Sequence, residues 1–141
     1  MIIKATGRST LDAYALFEVH TPAGRGMLPH LQRYDDEALF VLEGTYAIQI
    51  GHEIIELGRG GCTFARRGTI HAYTNTASVP ARLLIITSPG GIHERFFAAL
   101  GEQVNLCAVS SRIDESRDFS PIAMLAEKYG IEFAPGPDDP D

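Results

Sequence analysis

The sequence predicts an all-β domain, an antiparallel β-barrel with two α-helices packed outside it. Three observations predict this class. Short apolar segments recur from Ala13 to Ser88 with Gly- and Pro-containing turns between them, the pattern of a sandwich or barrel. No helical period interrupts those segments, which excludes parallel βαβ units. Two stretches of helical period then follow Pro89.

Ala13 to Thr21 reads as a strand, with Phe17 and Val19 on one face and Leu16 and Glu18 on the other. Pro22-Ala-Gly-Arg-Gly punctuates the chain, Leu28 to Arg33 is a short strand, and Tyr34-Asp-Asp is a polar turn. Ala38 to Leu42 and Thr45 to Ile50 are apolar runs around Glu43-Gly44. Gly51-His52 has the spacing of a two-residue hairpin, with Glu53 to Leu57 pairing back. Gly58-Arg-Gly-Gly turns into Cys62 to Ala65, and Ile70 to Asn75 and Ala81 to Thr87 complete the strands.

Beyond Pro89-Gly-Gly, Ile92, Phe96, Ala99 and Leu100 recur at helical spacing, and Gly101 is a suitable residue to end that helix. Ser120 can cap a second helix, Pro121 suits its first position, and Gly130 ends it. Ile122, Leu125, Ala126 and Tyr129 form its apolar face. At 141 residues the chain is the size of one domain. That domain is read over 1–133, with the barrel at about 13–88 and helices at about 92–100 and 121–129. The Pro-, Gly- and Asp-rich tail, 134–141, is expected to be disordered.

A net charge of −6 and a single adjacent basic pair, Arg66-Arg67, exclude the basic patch that nucleic-acid binding needs. No apolar run is long enough to span a bilayer, and Met1 to Gly7 lacks the features of a signal peptide. A cytoplasmic protein with no nucleic-acid and no membrane partner is expected. Cys62 and Cys107 have no metal or redox spacing. Both are expected as free thiols, with Cys62 buried in its strand.

The candidate site lies between Gly24 and Asn75. Side chains alternate along a strand, so His30 and Gln32 share a side, as do His71, Tyr73 and Asn75. Glu37 follows a turn, and its side cannot be read from spacing. If His30 and His71 both face inward, two imidazoles and a carboxylate surround one point. That set suits a divalent transition metal, either as an Fe(II) facial set or as a Zn²⁺ site with an open position. His20, His52 and His93 are assigned to the solvated surface. Tyr46, Ile48 and Ile50 share a strand face that Phe64 and Tyr73 can join. These residues are the candidate walls of a pocket for an apolar or aromatic small molecule, or simply core. A carboxylate beside apolar walls can have a raised pKa, which makes Glu37 a candidate general base. Arg66 and Arg67 read as a solvated loop or as an anion-seeking rim.

The spacing in these clusters resembles the paired signature of the cupin superfamily. Gly24, His30, Glu37 and Gly44 fall in register with its first motif, and Gly60, Gly68, His71 and Asn75 with its second. The flanks are similar to small proteins of the quercetin (flavonol) dioxygenase type. The similarity is carried by Pro29-His30, the strand Asp36 to Gly44, the turn Ser88-Pro-Gly-Gly and the close Tyr129-Gly-Ile-Glu-Phe133. The resemblance covers nearly the whole chain and implies a jelly-roll-like barrel. It implies a metal (Fe, Mn, Ni or Zn) held at positions 30, 32, 37 and 71, with Glu37 taking a substrate proton.

Two departures stand out. Gln32 occupies the place of the motif's second histidine, and Arg66 that of its proline. Gln32 can ligate through its amide oxygen, or can be a hydrogen-bonded interior group in a pocket without metal. Three functions follow as expectations. The first is a metal-dependent enzyme, most simply a dioxygenase, acting on an aromatic or polyketide-like molecule, with Glu37 and His71 catalytic. The second is a non-oxidative isomerase, cyclase or decarboxylase working through Glu37, with or without metal. The third is a small-molecule binding or sensing module. Small cupins resembling this one commonly dimerise, and Ile2-Ile3 offers an edge strand, so a homodimer is expected.

Overall fold

The computed structural model describes residues 1–103 and 120–134. Ten strands and two helices appear among them. They are β1 (Ile2–Ala5), β2 (Ala15–Thr21), β3 (Gly26–Gln32), β4 (Asp36–Glu43), β5 (Thr45–Ile50), β6 (Glu53–Gly58), β7 (Cys62–Ala65), β8 (His71–Asn75), β9 (Ala81–Ser88), α1 (Ile92–Gln103), α2 (Ser120–Glu127) and β10 (Ile131–Phe133). A 3₁₀ turn, Arg8–Thr10, precedes β2. No helix among the described residues is long and apolar enough to cross a membrane.

The strands form two five-stranded sheets, ordered β1-β2-β9-β4-β7 and β10-β3-β8-β5-β6. Every pairing is antiparallel. These two sheets face each other as the expected jelly-roll-like antiparallel barrel, which is not strictly closed and has edges at β1, β7, β10 and β6. Turns such as Gly58–Gly61, between β6 and β7, carry the chain from one sheet to the other. Strand alternation then fills the space between them, and Phe17, Leu39, Val41 and Leu83 of the first sheet join Tyr46, Ile48 and Tyr73 of the second in one buried cluster.

A second cluster lies under the helices, where Phe96 and Leu100 of α1 meet Leu125 and Ala126 of α2 and Ile131 of β10. Helix α1 continues past its expected end at Gly101 as far as Gln103. Glycine permits helix termination but does not enforce it, at a cost of about 1 kcal/mol within the helix. After α2 the chain closes through Gly130 at φ 72°, a left-handed conformation that glycine adopts without strain. This turn delivers β10 to β3, pairing Ile131 with Gln32 and Phe133 with His30. Three residues carry no periodic signal, so β10 is not legible in the sequence.

The expectation for β7 needs two corrections. Cys62 and Phe64 are exposed, not buried or pocket-facing. Their side is set by pairing, since Cys62 lies opposite Phe40 and Phe64 opposite Ala38, while Glu37 and Leu39 of β4 turn inward. Cys107 and the tail from residue 135 lie outside the described residues.

Candidate metal centre

His30 and His71 are direct partners across the β3–β8 ladder, with ring centroids 4.3 Å apart. Two features bring them together. A Cβ at Gly26 would collide with the Tyr73 carbonyl, so glycine lets β3 lie close against β8. A register shift between Met27 and His30 then re-aims the strand, as bulges beside sites do. Glu37 arrives from the other sheet, on β4, where it sits between Ala65 and Thr87. The site thus spans the space between the sheets, and His30, Gln32, Glu37 and His71 are each 3% exposed or less.

Both imidazoles are held the same way. His30 Nδ1 lies 2.7 Å from the Leu28 carbonyl oxygen and His71 Nδ1 lies 2.9 Å from that of Thr69. A carbonyl only accepts, so Nδ1–H donates in each ring and the lone pair is left on Nε2. His71 Nε2 is buried without a hydrogen-bond partner. One ligand atom from each of His30, Glu37 and His71 lies within 4.8 Å of the others. Two imidazoles with outward-held Nδ1–H groups, plus a carboxylate, fit a divalent transition metal.

The electrostatics agree with that donor set. Burial, reinforced by the charge on His71, pushes the His30 ring down to about 4, so it is neutral at neutral pH. Burial also opposes a charge on Glu37, but His71, His93 and His30 outweigh it and hold the carboxyl at about 2. The expected raised pKa at Glu37 is therefore corrected: the ring of imidazoles overrides the apolar walls. Burial works against protonating His71 too, yet Glu37 raises its pKa. The His71 Nε2 to Glu37 Oε1 distance is 3.7 Å, an electrostatic contact longer than a hydrogen bond.

Gln32 is built into a chain of side chains. Its Nε2 donates to Glu37 Oε2 at 2.6 Å and lies 3.0 Å from His93 Nε2. His93 Nδ1 in turn lies 2.7 Å from Asp35 Oδ2. His93 is 6% exposed, which corrects its assignment to the surface. It shares an inward α1 face with Phe96, Phe97 and Leu100, at helical spacing that is visible in the sequence. His20 and His52 are exposed as expected.

A cavity of about 310 Å³ opens onto this centre, lined by His30, Glu37, His93 and Tyr73 together with Phe17, Met27, Phe96, Phe97, Leu100, Ile122 and Phe133. Burial pushes the Tyr73 phenol pKa up. Tyr46 and Ile48, expected on the wall, are instead fully buried between the sheets, where Tyr46 Oη donates to Thr21 Oγ1 at 3.0 Å. Helix α1 and β10 supply the aromatic wall in their place. Arg67 is engaged by Asp36, through its backbone N–H at 2.8 Å and its guanidinium at 3.0 Å, so it does not serve as a free anion-seeking rim.

Two antiparallel sheets with histidine and glutamate side chains turned in between them form the cupin arrangement. The Cupin domain family matches residues 17–87, half of the chain, and the chain belongs to this family. It is 28% identical over 74 residues to the tetracenomycin polyketide synthase protein TcmJ of Streptomyces glaucescens, covering 52% of this chain and 50% of that protein. The chain thus spans about half the length of that relative. Among solved structures it is similar to the TT1209 protein of Thermus thermophilus, with 27% identity, a TM-score of 0.53, and 55% of this chain and 74% of that one covered. A Klebsiella pneumoniae protein with a double-stranded β-helix domain has 17% identity, a TM-score of 0.56, and coverage of 63% and 75%. At that identity it bears on the fold alone.

Proposed function

We propose that this cupin is a metal-dependent enzyme acting on an aromatic or polyketide-like small molecule, most simply as a dioxygenase. The observation that carries the reading is the donor set: two buried imidazoles with Nδ1–H tied to carbonyls, one orphaned Nε2, and a carboxylate held ionised beside them. His30, Glu37 and His71 would hold the metal, with Gln32 Oε1, buried and unpartnered, as a fourth donor. When bound, Fe, Mn, Ni or Zn supplies Lewis acidity, and the redox-active metals among them supply access to oxygen chemistry. The aromatic wall binds and orients a flat ligand and excludes water. Glu37 is an ionised carboxylate with Oε2 taken by Gln32, so its Oε1 would either ligate the metal or, where it does not, accept the proton of a ligand hydroxyl. The partial likeness to a polyketide synthase protein supports a polyketide-like ligand.

A second reading keeps the site but needs no metal. The Asp35–His93 and Glu37–His71 pairs put carboxylates beside imidazoles, groups that could move protons in an isomerase, cyclase or decarboxylase. Untagged protein assayed for oxygen uptake with flavonols and polyhydroxylated fused-ring aromatics, before and after chelation, separates the two. Oxygen consumption lost on chelation and restored by one metal supports the dioxygenase. Turnover without oxygen uptake, indifferent to chelator, supports the second reading and overturns the first.

A further inference from the structure

The primary amide of Gln32 has two N–H groups, and both point at acceptors. One meets Glu37 Oε2, and the other meets His93 Nε2. His93 can accept only because its proton is on Nδ1, and that proton is directed to Asp35 Oδ2. Asp35 lies in the turn between β3 and β4 and is 1% exposed. Its Oδ1 has no partner, so His93 is the side chain that this buried carboxylate serves. An unshared buried carboxylate is costly, and the arrangement returns one thing for that cost, a fixed His93 tautomer. With nitrogen held between two acceptors, oxygen is the amide atom left over, and Gln32 Oε1 is indeed buried without a partner.

We propose that Asp35 and His93 are positioning residues that lock the Gln32 amide, so that it presents oxygen to the centre in the place where the family motif carries an imidazole. The helix-borne histidine thereby compensates for the substitution on β3. The same lock engages one Glu37 oxygen with Gln32 and leaves Oε1 facing His71. The function of this lock rests on the metal reading above, whereas the lock itself is present without metal.

The test uses full-length His93→Leu, His93→Gln and Asp35→Asn proteins. In metal-free protein, nitrogen-resolved NMR reads the His93 tautomer and the Gln32 side-chain amide. In the presence of Co²⁺, titration against a chromophoric chelator reads affinity, and the visible spectrum reads the ligand field. Asp35→Asn, which keeps the shape but removes the carboxylate, is expected to shift the His93 proton to Nε2 and release the Gln32 amide. Both it and His93→Leu are expected to weaken Co²⁺ binding by about 10- to 100-fold, as loss of supporting hydrogen bonds does. His93→Gln keeps an acceptor and is expected to restore most of the affinity, which a merely space-filling role would not produce. Wild-type affinity and spectrum in His93→Leu and Asp35→Asn, with unchanged Gln32 amide signals, would overturn the proposal. If His93→Leu fails to fold, Asp35→Asn alone decides. If wild type takes up no Co²⁺, the metal reading fails separately, and the tautomer and amide signals in Asp35→Asn still decide the lock.

Discussion

His30 and His71 face each other across adjacent strands with their rings 4.3 Å apart, and each donates Nδ1–H to the carbonyl two residues before it. This repeated device makes both rings lone-pair donors through Nε2. It also makes the pair sensitive to its neighbours, and Gln32 is the neighbour that departs from the family pattern.

Gln32→His is expected to tighten metal binding, because imidazole is the better ligand for borderline metals. The same change removes the amide that donates to Glu37 Oε2. Metal affinity should therefore rise about tenfold while turnover falls. Metal analysis beside steady-state kinetics checks both halves.

The metal-free protein should be most stable near pH 6.5. His30 titrates at about 4 when folded against an ordinary 6.5, so between those values the unfolded chain binds more protons, and stability falls as pH drops. Glu37, held at about 2 against 4.5, adds a further loss as pH falls below 4.5. His71 works oppositely. Its folded pKa lies above 6.5, so the stability it contributes is present below 6.5 and is lost as pH rises through the folded value. Urea midpoints of chelated protein from pH 4 to 8 test this, and a monotonic rise with pH would contradict it.

Much of the fold was legible because strand alternation and Gly-rich turns mark edges and faces locally. β5 and β7 fall at the bounds read from sequence. What was not legible depended on pairing. The side of Glu37 is hidden by the Arg33–Asp35 turn, and that of Phe64 by its opposition to Ala38. Of the four candidate metal positions, His30, Glu37 and His71 come together with Gln32 hydrogen-bonded beside them, but their support does not lie nearby in sequence. His93 is 61 residues from Gln32, and only the fold joins them.

Core and cavity wall should separate on mutation. Tyr46→Phe removes the bond to Thr21 and should cost about 1 kcal/mol of stability with kcat and KM unchanged. Phe97→Ala takes away a half-buried ring that lines the cavity. It should raise KM for an aromatic ligand severalfold, with a smaller stability loss than the roughly 2–5 kcal/mol expected for Leu83→Ala in the sealed core.

The central claim is that His30, Glu37 and His71 hold a metal that the protein needs. Its most direct test is the metal content of untagged wild type and His71→Ala, purified side by side and analysed by elemental mass spectrometry. The account predicts about one transition metal per wild-type chain and essentially none in a folded His71→Ala protein, because water cannot replace a ligand from a set of three without a large loss of affinity. A folded wild type that remains metal-free after exposure to Fe²⁺, Mn²⁺, Ni²⁺ and Zn²⁺, or a His71→Ala variant that keeps its full complement, would contradict it.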